Sequence, residues 1–458
     1  MATSTPVDDA PRAPRPSDGG LHQVSITLSI LNRVLAGYGP RDFALRLWDG
    51  STIPPDPSHE ARFTLVLNSP GALRHMMLPP NEVALGESYL DGDWEIEGDI
   101  IAAMRLGDCF EKVAMGPREL LTLASQLRAL PSGRDGRHER AMYGRQASAL
   151  QGDAHSKERD RQAISYHYDA GNEFFSLFLG RRMIYSCGYF PTGQEDLDTA
   201  QEAKLEYLCR KLRLKPGERL LDIGCGWGGL ILYAAERYGV QALGISLSQP
   251  QVDIANQRIA EAGLSERCKA ILLDYRDLMS YGLFDKVVSV GMVEHVGRSK
   301  LLRYFQSAWQ GLRPGGLFLN HGISAAGSDA GSSNFLDRYL FQRGGFIRKY
   351  VFPDGELIPA GDTLGYAERA GFEVRDVESL REHYALTLRH WVRRLEANVD
   401  TAMRLVDPRT YRVWHLYMAG CSHAFAMARL SIHQALLAKP DERGCCCHPM
   451  TRSDLYAG

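Results

Sequence analysis

The sequence predicts an α/β protein whose larger part is a doubly wound, mostly parallel sheet, preceded by a smaller α+β domain. Three observations carry that expectation. Beyond residue 200, short apolar runs of strand character alternate with stretches of helical periodicity. The first of those runs turns into a helix through Gly224-Cys225-Gly226-Trp227-Gly228-Gly229, a glycine-rich loop of the kind that brings backbone close to a ligand. The 458 residues, 44% apolar and 24% charged, are enough for two or three domains with real cores and exclude global disorder.

In chain order, residues 1–20 are rich in Pro, Asp and Ser and are expected to form a disordered tail. They lack the apolar segment of a secretory signal, which predicts a cytoplasmic protein. Val24, Leu28, Leu31 and Leu35 recur at helical spacing and stop at Gly37. Phe43, Leu45 and Leu47, then Phe63, Leu65 and Leu67, alternate with other residues and read as two strands. Helical patterns over 71–78 and about 108–130, the latter carrying Leu120, Leu121, Leu123, Leu127 and Leu130, complete an α+β domain over 21–130. Residues 131–162 read as a basic linker, since Arg128 to Arg161 holds eight Lys or Arg against five Asp or Glu. Two readings of that excess stay open: a solvated connector, or a contact for lipid phosphates beside an amphipathic helix.

The catalytic domain is expected over 163–440, with strands at 219–223, 240–246, 269–273, 284–291 and 317–323 and helices between them. Glu382 to Asn398 and Thr410 to Leu430 are helix-biased. The Gly/Ser-rich stretch Ala325 to Ser333, followed by Tyr339 to Pro359, reads as a lid or a disordered loop, and 441–458 as a tail. Nine cysteines, mostly single, fit a reducing compartment. Adjacent Cys445, Cys446 and Cys447 with His448 lack the spacing of a metal site, so no metal is expected.

With 53 Lys plus Arg against 55 Asp plus Glu, no net positive field exists to hold nucleic acid. The most apolar stretch, Leu220 to Ala235, is interrupted by Asp222 and by glycines, so a spanning helix is not expected and membrane contact would be peripheral.

The loop satisfies even the dinucleotide spacing through Gly224, Gly226 and Gly229, yet the next strand ends in Ser246 where a dehydrogenase normally carries an acid for the ribose. That weakens a nicotinamide reading. Asp222 directly before the loop resembles class I methyltransferases that use S-adenosylmethionine. By that resemblance Asp274, after the third strand, sits where such enzymes often place an acceptor for the adenine amino group, with Tyr275 available to face the ring; its plainer reading is a turn or helix cap.

Further segments narrow the resemblance: Tyr166-His167-Tyr168-Asp169, Gly171 to Phe175, Tyr185-Ser186-Cys187-Gly188-Tyr189-Phe190, Gly244 to Ser248 with Gln251, Glu294-His295-Val296-Gly297, His321-Gly322-Ile323, Phe346 to Pro359, His383-Tyr384, His390-Trp391 and Tyr417 to Phe425. In that order they resemble the cyclopropane-fatty-acyl-phospholipid synthases and the related mycolic acid cyclopropane synthases, over about Ser165 to Leu437. Leu85 to Tyr89 running into Asp91-Gly92-Asp93-Trp94 resembles that family's additional domain. The resemblance implies a class I methyltransferase (Rossmann-like) fold with added helices. It also implies methylene transfer from S-adenosylmethionine to a cis double bond of an unsaturated phospholipid in a bilayer, peripheral membrane contact at the inner face, and a homodimer by analogy.

By the same resemblance, a bicarbonate ion serves as the base, held by Glu294, His321, Tyr384, Cys187 and the Ile323 amide, and Cys421 occupies a position sometimes regarded as catalytic. His and Tyr can donate to an anion, and a carboxylate can accept its hydroxyl proton. Singly, each has a plainer reading: Glu294 as a helix cap, His321 as a core histidine, Tyr384 as packing, Cys187 as a small apolar residue, with His295 read as structural. The cofactor positions implied are Tyr168, Tyr185 and Ser186 near the methionine end, Asp222, Gly224 and Gly226 at the loop, Ser246 and Gln251 at the ribose, and Asp274 with Tyr275 at adenine. Methylation without ring closure, and a lipid-binding protein with a vestigial loop, remain as alternatives.

Overall fold

The computed structural model describes residues 18–112, 115–133, 144–146, 148–325, 345–446 and 448–456. The chain divides into two compact units, residues 1–138 and 139–458.

In the first unit, α1 (Asp18–Val34) buries Ile30, Leu31 and Val34. The strands β1 (Phe43–Arg46), β2 (Thr52–Ile53), β3 (Phe63–Leu67) and β4 (Trp94–Gly98) form a sheet in the order β2-β1-β3-β4. The two strands read from the alternation pair parallel, and Phe43 stacks on Phe63 across them at 5.0 Å. β4 was not expected; it pairs antiparallel with β3, and its Trp94 donates from Nε1 to Ser88 Oγ at 2.9 Å. Between β3 and β4 lie α2 (Ala72–Met77) and α3 (Glu82–Leu90), the latter capped by Asn81 accepting from the Ala84 amide. After α4 (Ile100–Ala103), the expected continuous helix is two, α5 (Arg105–Lys112) and α6 (Pro117–Ala129), because Pro117 favours a helix start.

The second unit begins earlier than residue 163. Arg145 is buried, donates to the carbonyls of Tyr350 and Tyr166, and lies 4.2 Å over the Tyr166 ring. The segment 157–162, read as linker, belongs to α7 (Lys157–Tyr168), started by the Ser156 cap. α8 (Asn172–Leu179) and α9 (Leu197–Leu212) lead into β5 (Arg219–Ile223). The chain continues through α10 (Gly229–Tyr238), β6 (Gln241–Ser246), α11 (Gln249–Glu261), β7 (Cys268–Leu272) and β8 (Phe284–Val290), then α12 (Leu301–Gly311) and β9 (Leu312–Ala325). It then runs through α13 (Gly345–Tyr350), α14 (Ala360–Arg369), β10 (Glu373–Ser379), α15 (Arg381–Ala397), α16 (Val399–Leu405), α17 (Pro408–Ala426) and β11 (Leu430–Ala438).

Among the described residues the sheet has seven strands in the order β10-β11-β9-β8-β5-β6-β7. β5 to β9 are parallel neighbours, while β11 runs antiparallel to both β9 and β10. β10 and β11 escape the sequence pattern. β10 reads Glu-Val-Arg-Asp-Val-Glu-Ser, an edge strand with one buried residue, and β11 continues directly from helical sequence. The central strands are buried on both faces: Leu220, Val288 and Leu319 enter one core, Leu221, Val287 and Phe318 the other. The strand order reverses between β5 and β8, which opens a crevice at their carboxyl ends.

The C-terminal segment is not a free tail. Cys446 and Leu455 are buried and Arg452 pairs with Asp376 of β10. Most of the stretch read as a lid, 326–344, lies outside the described residues, as do residues 1–17 and Cys447.

Candidate active site

The crevice at the ends of β5 and β8 opens into a cavity whose wall includes Tyr168, Tyr185, Ser186, Asp222, Gly224, Gly226, Ser246, Gln251 and Tyr275. Elements far apart in sequence supply them: the end of α7, the segment after α8, the β5 loop, and the β6–α11 turn. The amides of Gly224 and Cys225 both donate to the Ile245 carbonyl, at 2.9 and 3.0 Å, and hold the loop against β6. Gly226 has φ +52, and a Cβ built there meets no protein atom within 4 Å, so the backbone is bare where it borders the cavity. Asp222 is buried with Oδ1 lacking a partner, and burial lifts its carboxyl to about 7 against the opposing pull of Lys204. Ser246 Oγ donates to Gln251 Oε1 at 2.9 Å, while Gln251 Nε2 is buried near the Tyr168 hydroxyl with no partner within 3.5 Å. A bare loop backbone, an unpaired carboxylate oxygen and an unpaired amide suit a ligand with an amino group and ribose hydroxyls.

Asp274 stands apart from its set. Leu273 and Tyr275 belong to the cavity wall, but the Asp274 carboxylate is held by Arg276, at 2.7 Å from Nε and 2.5 Å from the terminal nitrogen, and also accepts from the Arg276 amide. The turn-capping alternative describes this arrangement.

Glu294 lies in a short 3₁₀ turn, Val293–His295, directly after β8. Its Oε1 accepts from the Ile323 amide at 2.7 Å, so that amide, expected to hold an anion, is engaged by the carboxylate itself. Oε2 is buried without a partner, and burial raises the carboxyl to about 7. His321, on β9, has Nδ1 3.3 Å from Gln434 Nε2, and its Nε2 is buried and unpartnered. Burial and the nearby lysines push this imidazole well below its ordinary range, so it is neutral. Tyr384 on α15 is buried, edge-on to Trp391, and electrostatically coupled to Tyr185, Cys187, Glu294 and Cys421, which places these groups around one interior region. Cys187 is fully buried, and desolvation holds its thiol far above the usual range, so it is no thiolate nucleophile. Cys421 is buried on α17.

Lys204 is a residue the sequence reading missed. It is buried in the cavity wall, donates to Ser186 Oγ at 3.0 Å, and is pushed down to about 8 by desolvation. The signal was available: in α9, Gln201, Lys204 and Lys211 sit on the same stripe as Leu197, Leu205, Leu208 and Leu212. No group of three or more His, Cys, Asp or Glu arranged for a metal occurs among the described residues.

A family model described as mycolic acid cyclopropane synthetase matches residues 155–435, more than half of the chain. The chain belongs to this family. Its curated relatives include a probable fatty acid methyltransferase of Pseudomonas putida, 40% identical over 90% of this chain and 95% of the relative. Another is the cyclopropane-fatty-acyl-phospholipid synthase of Escherichia coli K12, 33% identical over 80% of this chain and 86% of the relative. Among solved structures, the mycolic acid cyclopropane synthase CmaA1 complexed with SAH and CTAB superposes with a TM-score of 0.57 at 31% identity, covering 60% of this chain and 97% of that one. This member of the cyclopropane synthetase family is therefore an S-adenosylmethionine-dependent methyltransferase on the class I fold. The bare loop, Asp222 and Gln251 are the features of its cavity that fit that cofactor.

Proposed function

We propose that the protein transfers a methylene group from S-adenosylmethionine to the cis double bond of an unsaturated acyl chain in a membrane phospholipid and closes a cyclopropane ring. S-adenosylmethionine, when bound, supplies an electrophilic methyl group. The alkene's π pair forms the new C–C bond while the C–S bond breaks onto sulfur, leaving a cation on the other alkene carbon. Loss of a proton from the added methyl lets that C–H electron pair close the ring.

No protein nucleophile is needed for the first step, in keeping with a Cys187 thiol that stays protonated. The proton must go to a base in a site that excludes water, since water would trap the cation as an alcohol. The single observation that carries this reading is a pair of buried, unpartnered atoms of opposite hydrogen-bonding character, Glu294 Oε2 in the turn after β8 and His321 Nε2 on β9, the strand whose Ile323 amide donates to Glu294. An acceptor and a donor fit bicarbonate, which has one hydroxyl to give and anionic oxygens to be held. Ionised Glu294 would orient the hydroxyl, and His321 and Tyr384 would donate to the oxygens.

A second reading is favoured by one observation, the name fatty acid methyltransferase on a relative 40% identical over most of both chains. Loss of a chain proton instead of a methyl proton would leave a methylated alkene. Lipid mass spectrometry after expression in a host lacking such lipids tests the choice. Both products add one CH2 to the unsaturated chain; the ring resists mild hydrogenation, whereas the methylated alkene takes up hydrogen and would overturn ring closure.

In this reading the protein reaches the bilayer by peripheral docking; no helix among the described residues is long and apolar enough to cross a membrane. In the first unit, α6 exposes Leu120 and Leu121, 48% and 72% accessible, which suits a helix lying in a lipid interface beside basic residues. Phospholipid as substrate, docking at the inner face and assembly as a homodimer all belong to this reading.

A further inference from the structure

Three residues of the sheet stand in one row. Glu378 on β10 is the register partner of Gln434 on β11, and Gln434 is the partner of His321 on β9, so their side chains share a face. Over this row lies Lys211 of α9, its side chain 1% exposed, with Nζ 2.5 Å from Glu378 Oε2 and 2.9 Å from Gln434 Oε1. The ammonium also sits 4.6 Å from the Tyr207 ring centre.

Donor and acceptor chemistry leaves one protonation pattern. An ammonium only donates, so the Gln434 atom facing Lys211 is the carbonyl oxygen. The amide nitrogen then faces His321 Nδ1, at 3.3 Å, and it too only donates. Nδ1 must therefore keep its lone pair, and the single ring proton of the neutral imidazole sits on Nε2, the buried atom left without a partner. The charged groups around the ring act in the same sense: Lys211 and Lys204 from α9 and His433 from β11 oppose an imidazolium, and Glu378 is already paired with Lys211. Glu294 after β8 is engaged by the Ile323 amide.

We propose that Lys211 and Gln434 are positioning residues that lock His321 as a neutral Nε2–H donor. This rests on the reading in which His321 donates to the anionic base, and it adds that His321 is never the base itself. The plainer account, an ion pair that merely fastens α9 to the edge of the sheet, predicts loss of stability and nothing else when the row is altered.

The test is ¹⁵N-histidine NMR of the full chain, with His321→Gln to assign the signal, together with pH–rate profiles. In the wild type His321 should show the Nε2–H tautomer from pH 5.5 to 8.5 with no imidazolium. Gln434→Glu still accepts from Lys211 but offers Nδ1 only an acceptor, so the proton should move to Nδ1. Turnover should then fall at least tenfold with the dissociation constant for S-adenosylmethionine unchanged, and a new ionisation should enter the pH profile. Lys211→Met, which frees the Gln434 amide to turn over, should give the same signature more weakly. A wild-type Nδ1–H tautomer, or titration of His321 in that range, overturns the lock without Gln434→Glu or Lys211→Met having to fold. A tautomer switch with unchanged turnover supports the lock and overturns instead the reading that His321 serves the reaction.

Discussion

Glu294, a carboxyl near neutrality, and His321, an imidazole that cannot charge, both owe their state to burial. Glu294 ionises at about 7 in the native state against an ordinary 4.5. Between those values the folded chain holds a proton that the unfolded chain has lost, so this contribution to stability is full below about 4.5 and is lost as pH rises through about 7. Gln mimics the protonated form at every pH. Glu294→Gln should thus leave apo stability nearly unchanged near pH 4.5 and raise it by up to about 3 kcal/mol above pH 7. Denaturant melts at pH 5 and pH 8 measure this, and an equal difference at both would refute the buried charge. The same variant should lose roughly 10² to 10⁴ in turnover while still binding S-adenosylmethionine. Wild-type turnover should rise with pH through about 7, as Glu294 ionises, and near-wild-type rates in the variant would remove Glu294 from the mechanism. Asp222 gives a separate handle. Its carboxyl also ionises at about 7, and a cationic ligand favours the charged form, so cofactor binding at pH 6 should release a proton. Calorimetry in two buffers of different ionisation enthalpy reads that release, and Asp222→Asn should abolish it.

At the scale of the element, the β5 loop and helix α9 teach different lessons. The loop's glycines were legible because a strand–loop–helix needs positive φ at fixed positions. Gly226→Val should abolish cofactor binding; at φ +52 an L side chain costs about 1 to 2 kcal/mol of backbone strain, while the Cβ itself meets no protein atom. A folded variant with unchanged affinity by titration calorimetry would move the cofactor elsewhere. Helix α9 was not read from the sequence, although Leu197, Leu205, Leu208 and Leu212 share a stripe, and the roles of Lys204 and Lys211 were not legible at all. Their partners, Ser186, Glu378 and Gln434, are 18, 167 and 223 residues away along the chain. Asp274 shows the opposite case: its position fits an adenine contact, and the neighbouring Arg276, which takes the carboxylate, was in view but its side-chain direction was not.

At the scale of the molecule, a protein with formal net charge −2 has no long-range attraction to an anionic bilayer, so docking must come from a local patch. Arg145 cannot belong to it, being buried against Tyr166 and Tyr350. Arg134, Arg137 and Arg140 lie outside the described residues. Replacing those three by Gln together with Leu120→Ser and Leu121→Ser should weaken sedimentation with anionic vesicles and lower activity on vesicles, leaving S-adenosylmethionine affinity unchanged. Because each basic residue near such a surface contributes only about 1 kcal/mol and is screened by salt, the loss should shrink as ionic strength rises. Equal sedimentation of wild type and variant at low salt would place docking on another surface.

By itself the sequence determined the parallel core of the sheet, the glycine loop and the family, because these are written in local periodicity and in short contiguous motifs. Tertiary structure alone decided that β10 and β11 close the sheet, that Cys446, Arg452 and Leu455 pack the C-terminal segment onto the second unit, and that the Ile323 amide serves Glu294. It also decided which nitrogen of His321 carries the proton. That last choice is made by atoms from β11 and α9 whose meeting depends on strand register and helix packing, and no local pattern encodes a distance between residues so far apart.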